Sequence, residues 1–261
     1  MPANQLFCSD NLMVLQQLPP ESIDVVYLDP PFFTNRTHST AQHHFSDEWQ
    51  NLSTYIRWLY ERVAAIHKLM KPTATIYLHC DWHADAYIRV EILDKIFGYH
   101  NYLNQIVWHY VMGSSAQRNW GRKYDTIYWY AKNPNKYHFD LAAIKTPYSP
   151  ETIARSQRGE ARYKTQLTEQ DGKNPGNVWT DIHPVQGNSR ESWHYPTQKP
   201  EKLLQRLLLA ASREGDVLLD PFAGSGTSLA VAQQLNRHWI GIDESQEAIA
   251  LCQKRLNICE V

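Results

Sequence analysis

Ile23-Asp24-Val25-Val26-Tyr27-Leu28-Asp29-Pro30-Pro31-Phe32 is the stretch whose reading decides the fold. Its apolar, β-branched first half reads as a buried strand of a parallel sheet. Two prolines then end the strand, because neither can donate a ladder hydrogen bond. Asp29, Pro30, Pro31 and Phe32 therefore sit at a strand's carboxyl end, where open α/β sheets bind ligands. Asp29 offers a carboxylate, Pro30 a carbonyl held by a locked ring, and Phe32 an aromatic face. Two acceptors beside a stacking platform suit a planar ring with an exocyclic amino group, such as adenine or cytosine. The plain alternative is a strand followed by a Pro-rich turn.

Upstream, Gln5 to Cys8 reads as a short strand, and Ser9-Asp10-Asn11 as a turn and helix cap. Leu12, Leu15 and Leu18 fall on one helical face, which completes a strand–helix–strand unit. Downstream, residues 33–50 are polar and aperiodic and read as a loop beside the motif. Apolar residues at helical spacing (Tyr55, Leu59, Val63, Ile66, Met70) predict an amphipathic helix. The strand Ala74 to Leu78 leads into His79-Cys80-Asp81-Trp82-His83, a mixed cluster read as structural lining of the site. His43-His44 lacks a third ligand at convincing spacing, and no metal is expected. A helix from Ala84 to Phe97 is stopped by Gly98. Gln105 to Tyr110 and Thr126 to Tyr130 read as a hairpin-like edge of the sheet.

A second ligand loop lies near the other end of the chain. Val217 to Asp220 is a short buried strand, followed by Pro221-Phe222-Ala223-Gly224-Ser225-Gly226-Thr227 and a helix. Glycines let the backbone approach a ligand, and the helix amino terminus offers free N–H groups. The loop lacks the Gly-Lys-Ser/Thr of a phosphate-binding loop and the spaced dinucleotide fingerprint, which argues against ATP hydrolysis and NAD. The next strand ends at Asp243-Glu244, at a spacing that fits a carboxylate taking ribose hydroxyls; Asp243 is preferred and Glu244 is the alternative. Tyr195-Pro196-Thr197-Gln198-Lys199-Pro200 is a turn that opens a helix. Lys199 stands there against the macrodipole, a placement that points to an anionic ligand group.

Composition sets the outer limits. The chain has 261 residues and a formal net charge of −1, so DNA binding would need a local basic patch. No apolar run approaches the roughly 18 residues of a membrane span. The first five residues lack a basic region followed by an apolar stretch, so no membrane association and a cytoplasmic location are expected. The four cysteines (Cys8, Cys80, Cys252, Cys259) show no zinc spacing and read as thiols of a reducing compartment. Arg118, Arg122 and Lys123 lie in a polar stretch around Trp120. Arg155, Arg158 and Arg162, with Lys164, form a second basic cluster. Each cluster is either a solvated face or a set of phosphate contacts.

Together, Asp29-Pro-Pro-Phe32, Tyr195-Pro-Thr-Gln-Lys-Pro200 and Asp220-Pro-Phe-Ala-Gly-Ser-Gly-Thr227 resemble the motifs of the DNA amino-methyltransferases. Their order resembles the circularly permuted beta group. The likeness covers most of the chain and is weakest at residues 111–125 and 140–190. It implies one methyltransferase domain over residues 1–261: a mostly parallel, seven-stranded, Rossmann-like α/β sheet with helices on both faces. Those two weak segments become candidate target-recognition segments. S-adenosyl-L-methionine would lie across the strand ends. Asp220, Phe222, Gly224, Ser225, Gly226 and Thr227 would hold its methionine and sugar, Asp243 its ribose, Asp10 its adenine, and Thr197 with Lys199 its methionine end. An Asp at the first motif position is commoner in adenine-N6 enzymes, and Phe32 keeps the ring of the usual Tyr. The expected partner is double-stranded DNA, and the resemblance is compatible with a homodimer and a cognate restriction endonuclease. Cytosine-N4 methylation, an RNA or protein-amide substrate, and a non-catalytic DNA-binding subunit are the alternatives.

Overall fold

The computed structural model describes residues 4–39, 44–110, 116–160 and 166–258. Among these the strands, in chain order, are β1 (Gln5–Cys8), β2 (Ile23–Leu28), β3 (Arg36–Ser39), β4 (His44–Asp47), β5 (Met70–Cys80), β6 (Tyr102–His109), β7 (Tyr124–Ala131), β8 (Thr146–Pro147), β9 (Gly172–Lys173), β10 (Val178–Trp179), β11 (Val217–Asp220) and β12 (His238–Asp243). The main sheet has eight strands in the order β1-β12-β11-β2-β5-β7-β6-β10. All its pairings are parallel except those of β7 with β5 and β6.

The helices are α1 (Asn11–Leu15), α2 (Leu52–Leu69), α3 (Asp85–Tyr87), α4 (Asp94–Phe97), α5 (Pro150–Gln157), α6 (Glu201–Ala211), α7 (Thr227–Gln234) and α8 (Gln246–Leu256). Period-two alternation assigns the strands' side chains to two cores. Val26 and Leu28 of β2 join Ile76 and Leu78 of β5 under α2. Val25 and Tyr27 join Leu218 of β11, Trp239 of β12 and the leucines of α6 on the other face. Helices thus cover both faces of a mostly parallel sheet, as the sequence predicts.

Helix α2 forms where the apolar spacing places it. Asn51 caps it by accepting from the Thr54 N–H at 2.9 Å. Lys132 closes its far end by donating from Nζ to the carbonyls of His67 and Met70. Its buried stripe is Tyr55, Leu59, Arg62, Val63, Ile66 and Leu69.

Several expectations need correcting. The sheet has eight strands rather than seven, because the two residues of β10 add outside β6; a two-residue strand carries no periodic signal. For the same reason the β6–β7 hairpin is not the sheet's edge. The loop over residues 33–50 contains the antiparallel pair β3–β4, whose residues lack apolar alternation. The helix over 84–97 is α3 and α4 joined by a π-helical turn, Ile88–Leu93. No helix among the described residues is long and apolar enough to cross a membrane.

Leu59 is fully buried in α2. Leu59→Ala should lower the unfolding free energy by about 2–5 kcal/mol in urea titration. Met13→Ala, at a residue 58% exposed, should shift it by less than about 0.5 kcal/mol.

Candidate active site

The parallel strands β1, β12, β11, β2 and β5 end on one edge of the sheet, and so does β6. The segments that follow them meet there around a cavity of about 460 Å³. Its walls include Asp10 after β1, Asp29 to Phe32 after β2, Asp220 to Ser225 after β11, and Asp243 and Glu244 at the end of β12. Thr197 and Lys199, from the turn before α6, close another side. Every residue assigned to catalysis from the sequence, and every one assigned to the cofactor except Gly226, lines this cavity.

The Asp29 carboxylate is held by Lys199, whose Nζ donates to its two oxygens at 2.6 and 2.9 Å and to the Thr197 carbonyl at 3.3 Å. This answers the placement of Lys199 against the helix dipole. Its charge is met by Asp29 within the protein, where the sequence pointed to a ligand carboxylate. The ammonium also lies 5.0 Å from the centre of the Phe32 ring.

The turn after the prolines is fixed by Asp47, a residue the sequence reading missed. Its carboxylate accepts from the N–H groups of Phe32, Phe33 and Thr34, from the Thr34 hydroxyl and from the Trp49 indole. Phe33 sits at φ +62°, a left-handed conformation that costs a bulky residue on the order of 1–3 kcal/mol. The Asp47 bonds hold it there, and the Tyr55 hydroxyl of α2 donates to the Pro31 carbonyl at 2.7 Å. No local pattern marks Asp47, because its partners lie about a dozen residues away in a segment without periodicity.

On the other side of the cavity Gly224 and Gly226 adopt φ +49° and +69°. A Cβ on Gly226 would stand 2.8 Å from Cys252 Sγ, so the loop's path requires glycine there. The Asp243 carboxylate accepts from the N–H groups of Gly224 and Ser245 at 2.8 and 2.9 Å, which ties β12 to the glycine loop. Asp220 is buried and accepts from the Phe222 N–H at 3.0 Å and from the Ser228 hydroxyl. The Thr227 hydroxyl accepts from Arg255 at 2.9 Å and pairs with Ser225 Oγ at 3.1 Å. Asp220 and Thr227 therefore shape the loop from within. Burial raises the Asp243 carboxyl above the usual range and pushes Asp220 up to about 7.

Asp10 caps α1 by accepting from the Leu12 N–H and pairs with Arg62 at 2.5 Å. The buried Arg62 also donates to Asn11 and lies 4.1 Å over the Trp58 ring. Trp58 in turn meets Phe222 at 5.6 Å. Trp58 and Arg62 were missed in the sequence. The available signal was a charged residue on the apolar stripe of an amphipathic helix, where an unpaired Arg would not be buried.

The candidate DNA contacts separate into groups. Arg118, Arg122 and Lys123 lie on the β6–β7 connection, at the site edge of the sheet. Arg122 stacks over Trp82 at 3.4 Å, and Trp120 is 95% exposed. Arg155 and Arg158 are exposed and pair with Glu151 and Glu160. Arg162 and Lys164 lie outside the described residues.

The family model described as DNA methylase matches residues 23–254. The chain is 34% identical over 254 residues to the type II methyltransferase M.HpaI of Haemophilus parainfluenzae, covering 97% of this chain and 74% of that one. It is 32% identical over 259 residues to the DNA adenine methyltransferase YhdJ of Escherichia coli K12, covering 98% and 83%. Its fold is similar to that of a solved M1.HpyAVI–SAM complex, with a TM-score of 0.64 at 19% identity, covering 97% and 99%. The chain belongs to the DNA methylase family, which takes in N6- and N4-methylating members. Within it, the protein is a DNA amino-methyltransferase in which Asp29-Pro30-Pro31-Phe32 precedes the glycine loop.

Two outcomes follow. Burial holds the Asp220 proton to about pH 7 in the native state, whereas the unfolded chain loses it near the ordinary carboxyl value of 3.8. Between these values the native state binds more protons, so this group's contribution to stability falls as pH rises, with a slope of up to about 1.4 kcal/mol per pH unit. Urea unfolding across pH 4–8 should show that slope in the wild type and a flatter one in Asp220→Asn. Asp47→Asn leaves one acceptor oxygen for five donors and should cost about 1–3 kcal/mol in the same assay.

Proposed function

We propose that the protein is a site-specific methyltransferase that moves a methyl group from S-adenosyl-L-methionine to N6 of an adenine flipped out of double-stranded DNA. The observation that carries this reading is the convergence of the Asp29 carboxylate, the Pro30 residue and the Phe32 ring with the glycine loop around one cavity. The identity to a relative named as a DNA adenine methyltransferase supports adenine, as does the Asp at the first motif position. The likeness to a type II methyltransferase supports a role beside a cognate restriction endonuclease. We read residues 1–261 as one catalytic domain, with segments 111–125 and 140–190 serving target recognition.

The residues around the cavity fit the cofactor. Trp58 would wall its adenine with Asp10 nearby, and Phe222, packed against Trp58, would continue that wall toward the sugar. Asp243, or Glu244 next to it, would take the ribose hydroxyls, and the loop of Gly224 to Thr227 would flank the methionine. Thr197 and Lys199 stand toward the methionine end. When bound, the cofactor supplies an electrophilic methyl group on a sulfonium.

The chain's own groups account for the rest. An adenine inside a duplex cannot present N6 to these residues, so it must leave the stack. Phe32 stacks on the extruded base, and Asp29 with the Pro30 carbonyl accepts the two amino hydrogens. A carboxylate has about four lone-pair sites, so the two bonds from Lys199 leave room for the base. These acceptors turn the nitrogen's lone pair out of conjugation, and positioning with electrostatics supplies the acceleration. The exposed Arg118 and Arg122, with Lys123, face phosphates at the site edge. Arg155 and Arg158, exposed beside Glu151 and Glu160, would form a separate set of phosphate contacts.

The test is transfer of labelled methyl groups from S-adenosyl-L-methionine to unmethylated bacterial DNA, with nucleosides resolved by mass spectrometry. N6-methyladenine is the expected product. N4-methylcytosine would overturn the base, and an absence of label despite measurable cofactor binding would overturn the DNA substrate. Asp29→Asn should lower the transfer rate by about a hundredfold or more. Calorimetric binding of the cofactor should persist in that variant.

A further inference from the structure

Behind Asp29 runs a buried chain of polar groups that the mechanism above leaves unused. His79, at the end of β5, is fully buried. Its Nε2 lies 3.0 Å from Asp125 Oδ2, and its Nδ1 lies 3.0 Å from the Tyr27 hydroxyl and 3.9 Å from Asp29 Oδ1. The second oxygen of Asp125 accepts from the half-buried Tyr110 hydroxyl at 3.0 Å. The Phe32 ring stands 5.5 Å from the imidazole, and Trp108 meets it edge-on at 5.7 Å.

We propose that His79, clamped by Asp125, is a positioning residue for Asp29 and that its Nδ1 holds the proton shed by the target amine. The proposal rests on the methyl-transfer reading above and deepens it. Its first support is the assignment of hydrogens along the chain. Burial pushes the Asp125 carboxyl up, while the hydrogen bonds from His79 and Tyr110 and the nearby Lys199 charge lower it. Asp125 therefore lies below the usual carboxylate range and stays ionised. An ionised carboxylate can only accept, so Nε2 carries the hydrogen and Nδ1 of the neutral ring is the bare nitrogen. Burial, with Asp29, Asp220 and Asp125 nearby, keeps Tyr27 protonated, so its hydroxyl donates to Nδ1. The nitrogen that can take a proton accepts from Tyr27 and lies 3.9 Å from Asp29 Oδ1.

The second support is the balance of the reaction. As the nitrogen–methyl bond forms and the carbon–sulfur bond breaks, the amine becomes an ammonium and one proton must leave. Its N–H electron pair returns to nitrogen, and the proton passes to Asp29 Oδ1. A proton resting there confronts the Lys199 ammonium, which already donates to both carboxylate oxygens. On Nδ1 the same proton creates an imidazolium against the Asp125 carboxylate, and the Tyr27 hydroxyl turns to accept from it. The groups that face His79 are Tyr27 and Asp29 from β2 and its end, and Asp125 from β7. Tyr110, after β6, acts through Asp125, and Lys199, before α6, acts through Asp29. Cys80 adjoins it on its own strand, and Asp81 follows just beyond the strand's end.

Nitrogen-15 NMR of the imidazoles in the wild-type protein reads the assignment without DNA or turnover. The expected neutral tautomer bears its proton on Nε2. A neutral ring with its proton on Nδ1 would overturn the proposal. In single-turnover transfer His79→Gln should lose about a hundredfold and its acid limb, with cofactor affinity unchanged. Asp125→Asn, which alters the tautomer rather than the ring, should show the same loss and serves if His79→Gln does not fold. Full rates, or the wild-type acid limb, in a folded variant would overturn it. A wild-type protein that methylates no DNA would sink the substrate reading, while the tautomer would still decide the role of His79.

Discussion

Parallel strands must all end on the same edge of their sheet, and this constraint assembles the site. β1, β12, β11, β2 and β5 deliver Asp10, Asp243, the glycine loop, Asp29 and His79 to one line. No loop has to travel far, because each functional segment begins where its strand stops. The antiparallel β7 restores the direction of β6, so the β6–β7 connection with Arg118 and Arg122 returns to that edge as well. The side chains are then placed by backbone geometry, and local contacts make only the final adjustment.

Those adjustments are mostly charges held close to the core. Three ion pairs line or flank the site: Asp29 meets Lys199, Asp10 meets Arg62, and Glu201 meets Arg255. Replacing such pairs by apolar residues often leaves stability unchanged or improved, so stability alone is a poor reason for their presence here. Their effect is orientation. Asp29 is fixed between an ammonium and the His79–Asp125 pair, and the turn that follows it is fixed by Asp47. The strained backbone at Phe33 persists because five donors converge on that one carboxylate.

How much of this was legible in the sequence depends on the range of the signal. The strand Ile23–Leu28, its Pro-Pro stop, the helix Leu52–Leu69 and the glycine loop are local patterns, and the structure places them as read. Their common edge follows from parallel topology, so the grouping of Asp29, Asp220 and Asp243 was legible too. Asp47, Trp58 and Arg62 were not, since their roles arise from contacts between distant segments. Lys199 was singled out as a charge meeting an anionic ligand group, whereas the carboxylate it meets is Asp29, 170 positions away in sequence and without a local trace. The strands β3, β4 and β10 are too short or too polar to announce themselves.

The adjacency of β2 and β11 carries a consequence for the gene. Val25 and Val26 of β2 pair directly with Leu218 and Leu219 of β11, although they lie near opposite ends of the chain. The catalytic half and the cofactor half are thus joined by strand pairing at the centre of the sheet, and not by the order in which they are translated. Which half is translated first therefore leaves that central pairing unchanged, because the contact is made through space between strands and not through the chain that links them.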